Sequence, residues 1–298
     1  MAGPGILGGM TDPRTELSEF LRSRRARLSP DDLGLPRYGR TRRVPGLRRE
    51  ELAQLAGVSV AYYTRLEQGN ARNVSAEVLD SIARALQLND AEHTYLRNLT
   101  HSPTGGRKKT LRSQVRPALT HLLNGISVPA YIGGRRSDVL AWNSMAAALF
   151  GDWGALEPRD RNWARFIFLR PEYQTLFVNW ESKAADVVAF LRMDAGGFPN
   201  DPELASLIGE LSVRSEPFRQ LWARHDVKEK SFGTKVLRHP LVGEMTLSYE
   251  TLKMPSEPDL FLSTYHAEPG SPSAEALQLL ANWGTDATRA GTSATAQT

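Results

Sequence analysis

The sequence of 298 residues predicts a multidomain protein, with an all-α N-terminal domain followed by an α+β C-terminal domain built on an antiparallel sheet. Three observations lead there. Residues 49–68 (REELAQLAGVSVAYYTRLEQ) have the spacing of two short helices joined by a tight turn. All six tryptophans lie at or beyond Trp142, so composition divides the chain in two. Near the C-terminus the apolar pattern turns to strands. Lys235–Arg238, Glu244–Leu252 and Leu260–His266 are separated by Pro- or Gly-bearing turns and read as an antiparallel meander.

The first helix is expected from about Thr15 to Leu28, with Leu17, Phe20, Leu21 and Ala26 inward. In 49–68 the inner face of the leading helix holds Leu52, Ala53 and Ala56. Ala53 must be small where the helices cross, and Gly57 suits a left-handed backbone that a Cβ would penalise. Val58 plugs the turn, and Ser59 can cap the second helix by accepting from amides one turn on. Tyr63 and Leu66 anchor that second helix. An apolar stripe of Leu79, Ile82, Ala83 and Leu86 marks a helix from about Ser75 to Leu86, with Glu77 suiting its dipole. Tyr95, Leu96 and Leu99 mark another over about Asp90 to Leu99. Such a small-residue, glycine and plug pattern is that of a DNA-binding helix-turn-helix.

Charge agrees. Residues 1–116 carry 20 Lys+Arg against 12 Asp+Glu, a net of +8 hidden inside a chain total of +4. A basic front is what a polyphosphate partner needs, since each neutralised phosphate releases counterions. Arginines crowd the Pro- and Gly-broken segment before the motif. Arg42, Arg43, Arg48 and Arg49 are the candidates for backbone contacts, with Arg48 and Arg49 favoured by their place at the helix start. The outward front of the second helix, Ser59, Val60, Ala61, Tyr62, Thr64 and Arg65, faces the bases. Arg65 suits guanine O6/N7 or a phosphate, and Val60 or Ala61 a thymine methyl, while Tyr62 has the alternative of packing on its own helix.

The stretch GVSVAYYTRLEQG followed by VSAEVLDSIARAL resembles the phage-repressor-like (XRE) helix-turn-helix family, which implies a five-helix domain over 13–100. Residues 101–110, polar and rich in Gly and Lys, read as a linker, and 1–12 and 286–298 as unstructured tails.

Beyond the linker, Leu111–Leu123 reads as an amphipathic helix. Ala130–Ile132 and Asp138–Trp142 read as a hairpin, and Asn143 as the cap of a helix reaching Phe150. A long helix is expected over about Glu172–Met193 and another over Pro202–Val213. Ser215 caps Glu216–Arg224, and a last helix starts at Pro272. GRRSDVLAWN, ELSVRSEPFRQLWARHDV, GTKVLRHPLVGEMTLSYE and HAEPGSPSAEALQLL resemble the MmyB-like ligand-binding domain, a PAS-like α+β module, over 111–283. That resemblance implies a DNA-binding regulator whose second domain holds a small apolar ligand, a long-chain fatty acid being the ligand suggested for the family.

A fatty-acid site needs an apolar tunnel and a cation or strong donors at one end. Trp142, Trp222 and Tyr249 are candidate walls, and Arg224 or His225 in the run WARHD candidates for the carboxylate, with pairing of Arg224 to Asp226 the competing possibility. No phosphate-binding, zinc-protease or nucleophile-elbow motif is present, the six histidines lack ligand spacing, and there is no cysteine. No cofactor or enzymatic activity is therefore expected. No apolar run suits a membrane span and no secretory signal opens the chain, so a cytoplasmic, homodimeric, double-stranded-DNA-binding regulator is expected. A C-terminal domain that binds protein rather than a metabolite stays open, as does a DNA-tethered enzyme.

Overall fold

In a computed structural model, residues 12–31, 33, 46–71, 74–100 and 115–282 are described. Arg42 and Arg43, the linker 101–110, the first four residues of the expected helix at 111, and the tails (Asp12 excepted) lie outside them. The chain forms two compact units that are not contiguous in sequence. One comprises 1–107 with 191–229, and the other 108–190 with 230–298.

The first unit begins with α1 (Pro13–Arg27), whose cap is Asp12, accepting from the Arg14 amide at 3.3 Å. There follow α2 (Arg49–Leu55), α3 (Val60–Glu67), α4 (Ala76–Ala85) and α5 (Asp90–Thr100). Each expected inward residue except Ala26 and Leu99 is buried, and Phe20, Leu21, Leu52, Ala53, Tyr63, Leu79 and Ile82 have no exposed surface. Leu99 packs against that core from a half-buried position. Ala26 is exposed, because α1 turns it away from the face that carries Leu17, Phe20 and Leu21.

Residues 191–229, which fall inside the 111–283 domain expected from the sequence, cluster by contact with the N-terminal helices. Val227 and Met193 join the five-helix core, and Arg24 donates to the His225 carbonyl at 2.5 Å. The segment consists of the end of α10 (Trp180–Gly197), then α11 (Pro202–Arg214) and α12 (Glu216–Trp222), capped by Ser215 as expected. A polar lock holds it. The Glu16 carboxylate accepts from Tyr95 Oη at 2.6 Å and from Arg192, whose guanidinium is fully buried. Arg192 also donates to the Trp222 carbonyl and lies 4.0 Å from the centre of that indole ring.

Gly196 shows how closely α10 approaches α5. A Cβ there would come within 2.2 Å of the Tyr95 ring, which is itself buried. Gly→Ala inside a helix ordinarily gains about 0.5–1 kcal/mol, but overpacking costs about 1–3 kcal/mol, so the clash decides the sign. Gly196→Ala is expected to lower the unfolding free energy, read by urea denaturation.

The second unit carries a five-stranded antiparallel sheet in the order β2-β1-β5-β4-β3. Its strands are β1 (Ala130–Gly133), β2 (Val139–Trp142), β3 (Phe232–His239), β4 (Gly243–Lys253) and β5 (Phe261–His266). On one face, Leu119 and Leu123 of α6 (Pro117–Asn124) pack with Ala130, Ile132 and Leu260. Tyr131, pointing the other way along β1, belongs to the opposite face.

Asn143 caps α7 (Ser144–Phe150), accepting from Ala146 and Ala130 amides and donating to the Ile126 and Val128 carbonyls, so its amide is fully used in structure. After α8 (Trp163–Leu169), the long helix expected over 172–193 is broken into α9 (Pro171–Leu176) and α10. The break has a partner: Phe177 bridges Leu237, and the Val178 amide donates to the Val236 carbonyl at 3.0 Å, extending the sheet edge. A final helix, α13, spans 272–282.

Candidate functional site

Helix α3 is presented by a turn built as the sequence requires. Gly57 has φ +66°, and the Ser59 hydroxyl accepts from the Tyr62 amide at 3.2 Å. Tyr63 and Leu66 pin the helix inward. Val60, Ala61 and Arg65 are exposed, while Tyr62 and Thr64 are half-buried. The Arg65 guanidinium lies 5.9 Å from the centre of the Tyr62 ring, so Tyr62 packs beside it on the same helix.

The end of α3 is fixed by a buried carboxylate. Glu67 has no exposed surface and binds Arg25 through two hydrogen bonds of 2.7 and 3.0 Å and Arg49 through one of 2.8 Å. Burial alone would raise its pKa, but the hydrogen bond and charge of Arg25 outweigh it and hold the carboxyl below its usual range. One carboxylate thus ties α3 to α1 and to the start of α2. The Arg48 amide donates to Glu51 at 2.7 Å and fixes the same helix start. Two residues on, Gly69 has φ +84°, and a Cβ there would come within 2.3 Å of the Arg14 carbonyl oxygen. Only glycine lets the chain leave α3 along this route.

The second unit holds a narrow cavity on the face of the sheet bearing Tyr131. Side chains two apart supply its floor: Tyr249 and Thr251 from β4, Phe261, Ser263 and Tyr265 from β5, and Lys235 from β3. The opposite wall comes from Trp163 and from Lys183, Asp186, Val187 and Phe190, which fall on one face of α10 at i, i+3, i+4 and i+7. About 30 Å³ of the cavity is open to the centre of a water molecule.

Three lysines and one aspartate line the space. Lys235 pairs with Asp186 at 2.7 Å. Lys183 lies 4.3 Å from the Trp163 ring centre, and Lys230 lies 4.1 Å from that of Phe261, both within cation–π range. Burial pushes the Tyr131 phenol up to about 12 and Tyr265 well above its usual value, so both stay neutral at physiological pH. Ser137 enters the cavity from a strained turn in which Arg136 has φ 59° and Ser137 φ 64°. Asn162 holds that turn, donating to the Arg136 carbonyl at 2.8 Å and to the Asp138 carboxylate at 2.9 Å.

A family model described as the MmyB-like transcription regulator ligand binding domain matches residues 115–280, and one described as a helix-turn-helix domain matches 16–96. The chain belongs to the MmyB-like family. No curated protein matches the chain. A DNA-binding helix-turn-helix joined to an MmyB-like ligand-binding domain makes the protein a transcription regulator, and neither family is enzymatic. No helix among the described residues is long and apolar enough to cross a membrane.

Among the ligand residues expected in this MmyB-like domain, Tyr249 lines the cavity. Trp142 does not: it packs edge-to-face on Trp153 and under Arg161. Trp222, Arg224 and His225 lie in the first unit. Trp222 stacks on Phe218, and Arg224 is exposed, its carbonyl accepting from Arg27. Asp226 pairs with Arg27 rather than Arg224. His225, at φ 55°, faces Glu16 and Glu19 at 3.5 Å each. These three could hold a metal by distance alone, but the same Glu16 oxygen already accepts from Arg192 and Tyr95, so a guanidinium fills the cation's place.

The cationic wall is made by Lys183, Lys230 and Lys235, all outside the WARHD run. The signal was present, since 183, 186, 187 and 190 have helical spacing, and Lys235 shares the period-2 face of the buried Leu237 and His239. Of the DNA-contact candidates, Ser59 is engaged in capping. Arg49 spends its Nε on Glu67, although more than a third of its side chain remains exposed.

Proposed function

We propose that the protein is a sequence-specific, homodimeric DNA-binding regulator whose second unit responds to a small ligand in the sheet-face cavity. The observation that carries the DNA reading is the presentation of α3, anchored by Tyr63, Leu66 and Glu67 with Val60, Ala61 and Arg65 left outward. A helix so placed enters a major groove, where Arg65 meets a guanine edge and Val60 or Ala61 a thymine methyl. Arg48 and Arg49, with Arg42 and Arg43 before them, supply phosphate contacts. Two copies would read half-sites about 34 Å apart or a multiple of that, in the compartment that holds the DNA.

The long-chain fatty acid implied by the resemblance suits the lysine-rich wall through its carboxylate. Its tail would require aromatic side chains to move, because so little of the cavity is open. Any ligand acts by its differential affinity for two arrangements of the protein. The chain passes from one unit to the other within α10, which carries Lys183, Asp186 and Phe190 at the cavity and Arg192 in the lock on Glu16. That helix is the proposed route of response.

Arg65→Ala is expected to cost about 1–3 kcal/mol on the selected operator and much less on scrambled DNA, measured by fluorescence anisotropy. An equal loss on both would make Arg65 a backbone contact. A footprint covering one unpaired half-site would contradict the dimer.

A further inference from the structure

The cavity has a chemistry more specific than that of an apolar tunnel. Three lysines outnumber its single aspartate, and each lies over an aromatic ring. Most of its remaining wall is aromatic, from Trp163, Phe190, Phe261 and the three tyrosines, with Val187, Thr251 and two serines between them. One buried polar atom there, Ser137 Oγ, has no hydrogen-bond partner among the described residues. Ser137 is nearly inaccessible, at 2% exposure. Leaving a buried donor unsatisfied is costly, so a site that retains one suits an incoming acceptor. The strained backbone at Ser137 points the same way, because a costly φ held by surrounding structure concentrates at ligand clamps.

Size sets the rest. Ligand pockets for drug-sized molecules run to about 300–1,000 Å³, far above the open space here. Any occupant must displace wall side chains, and a single flat ring asks for the least displacement, while an extended alkyl chain has no channel to follow. We propose that this cavity binds a compact aromatic carboxylate, its ring against Trp163, Phe190 and Phe261 and its carboxylate among Lys183, Lys230 and the Ser137 hydroxyl. The proposal rests on the ligand-responsive reading above and names the ligand class for that same site.

Benzoate, benzyl alcohol and myristate are the probes, titrated into the full chain with tryptophan fluorescence and melting temperature as readouts. Benzoate is expected to raise the melting temperature and to bind at least about tenfold more tightly than the neutral, ring-matched benzyl alcohol, a ratio that charge pairing supplies. Lys230→Met should erase that ratio, and Lys230→Arg should restore most of it. Should the methionine variant fail to fold, Ser137→Ala serves instead and should weaken benzoate several-fold. Binding of myristate without benzoate would overturn the compact-aromatic proposal and leave the ligand-responsive reading standing. Silence with both acids would overturn the two together. Benzoate and benzyl alcohol binding equally would also overturn the proposal, since the lysines would then select nothing.

Discussion

Arg192→Ala will lower the unfolding free energy by about 3–5 kcal/mol, the range for removing one partner of a buried ion pair. The Glu16 carboxylate is nearly inaccessible and keeps only Tyr95 and His225 once the guanidinium is gone. The loss comes from the uncompensated charge rather than from the worth of the pair. The double variant Glu16→Gln with Arg192→Met should therefore recover most of it, because Gln still accepts from Tyr95 and Met fills the volume. Equal destabilisation in the double variant would show that packing, not charge, is what Arg192 supplies.

Acid titration reads the same group. Burial would raise the Glu16 pKa, but its hydrogen bond from His225 and the charge of Arg192 outweigh burial and hold it at about 2 against the usual 4.5. A carboxyl depressed in the folded state stabilises the protein above about pH 4.5, and that contribution is lost as pH falls from there toward 2. The stability curve of the Arg192→Ala variant should be flatter over this window.

Glu67→Ala will cost about 2–4 kcal/mol, somewhat less than a fully enclosed pair because Arg49 can turn to water. Three hydrogen bonds to guanidinium groups disappear together, and Arg25, only 16% exposed, is left facing a void. The loss is not confined to stability. With α3 no longer tied to α1 and α2, its outward residues lose their fixed aim, so operator affinity should fall beyond what the folded fraction explains. Glu67→Gln should sit between the two, since an amide can accept one of the bonds but carries no charge. Chemical denaturation and anisotropy on the same preparations separate the two effects.

What could be read beforehand follows from how local each signal is. The turn at Gly57, the Ser59 and Asn143 caps and the stripe on α4 depend on residues within a few positions of one another, and the structure has them as expected. The strands of the meander were legible because alternation is also local. The break between α9 and α10 was not, since nothing in 177–179 forbids helix. It is the distant Val236 carbonyl that claims the Val178 amide. The same holds for the grouping of 191–229 with the first unit, where Arg192 finds Glu16 across 176 positions. Arg224 and His225 are neighbours in sequence, which is what makes them legible as carboxylate candidates. Lys183, Lys230 and Lys235 cluster only once the sheet forms, and no local pattern links all three.

The most direct test of α3 as the reading element is Ala61→Glu, assayed on the selected duplex across a salt series. Ala61 is exposed in the first turn of α3, where an added carboxylate favours the helix dipole, so folding should be unharmed. Facing phosphates, the same charge should reduce affinity by about 100-fold or more, while the unchanged protein shows the steep salt dependence of counterion release. Duplex affinity indifferent to both Ala61→Glu and salt would contradict the account.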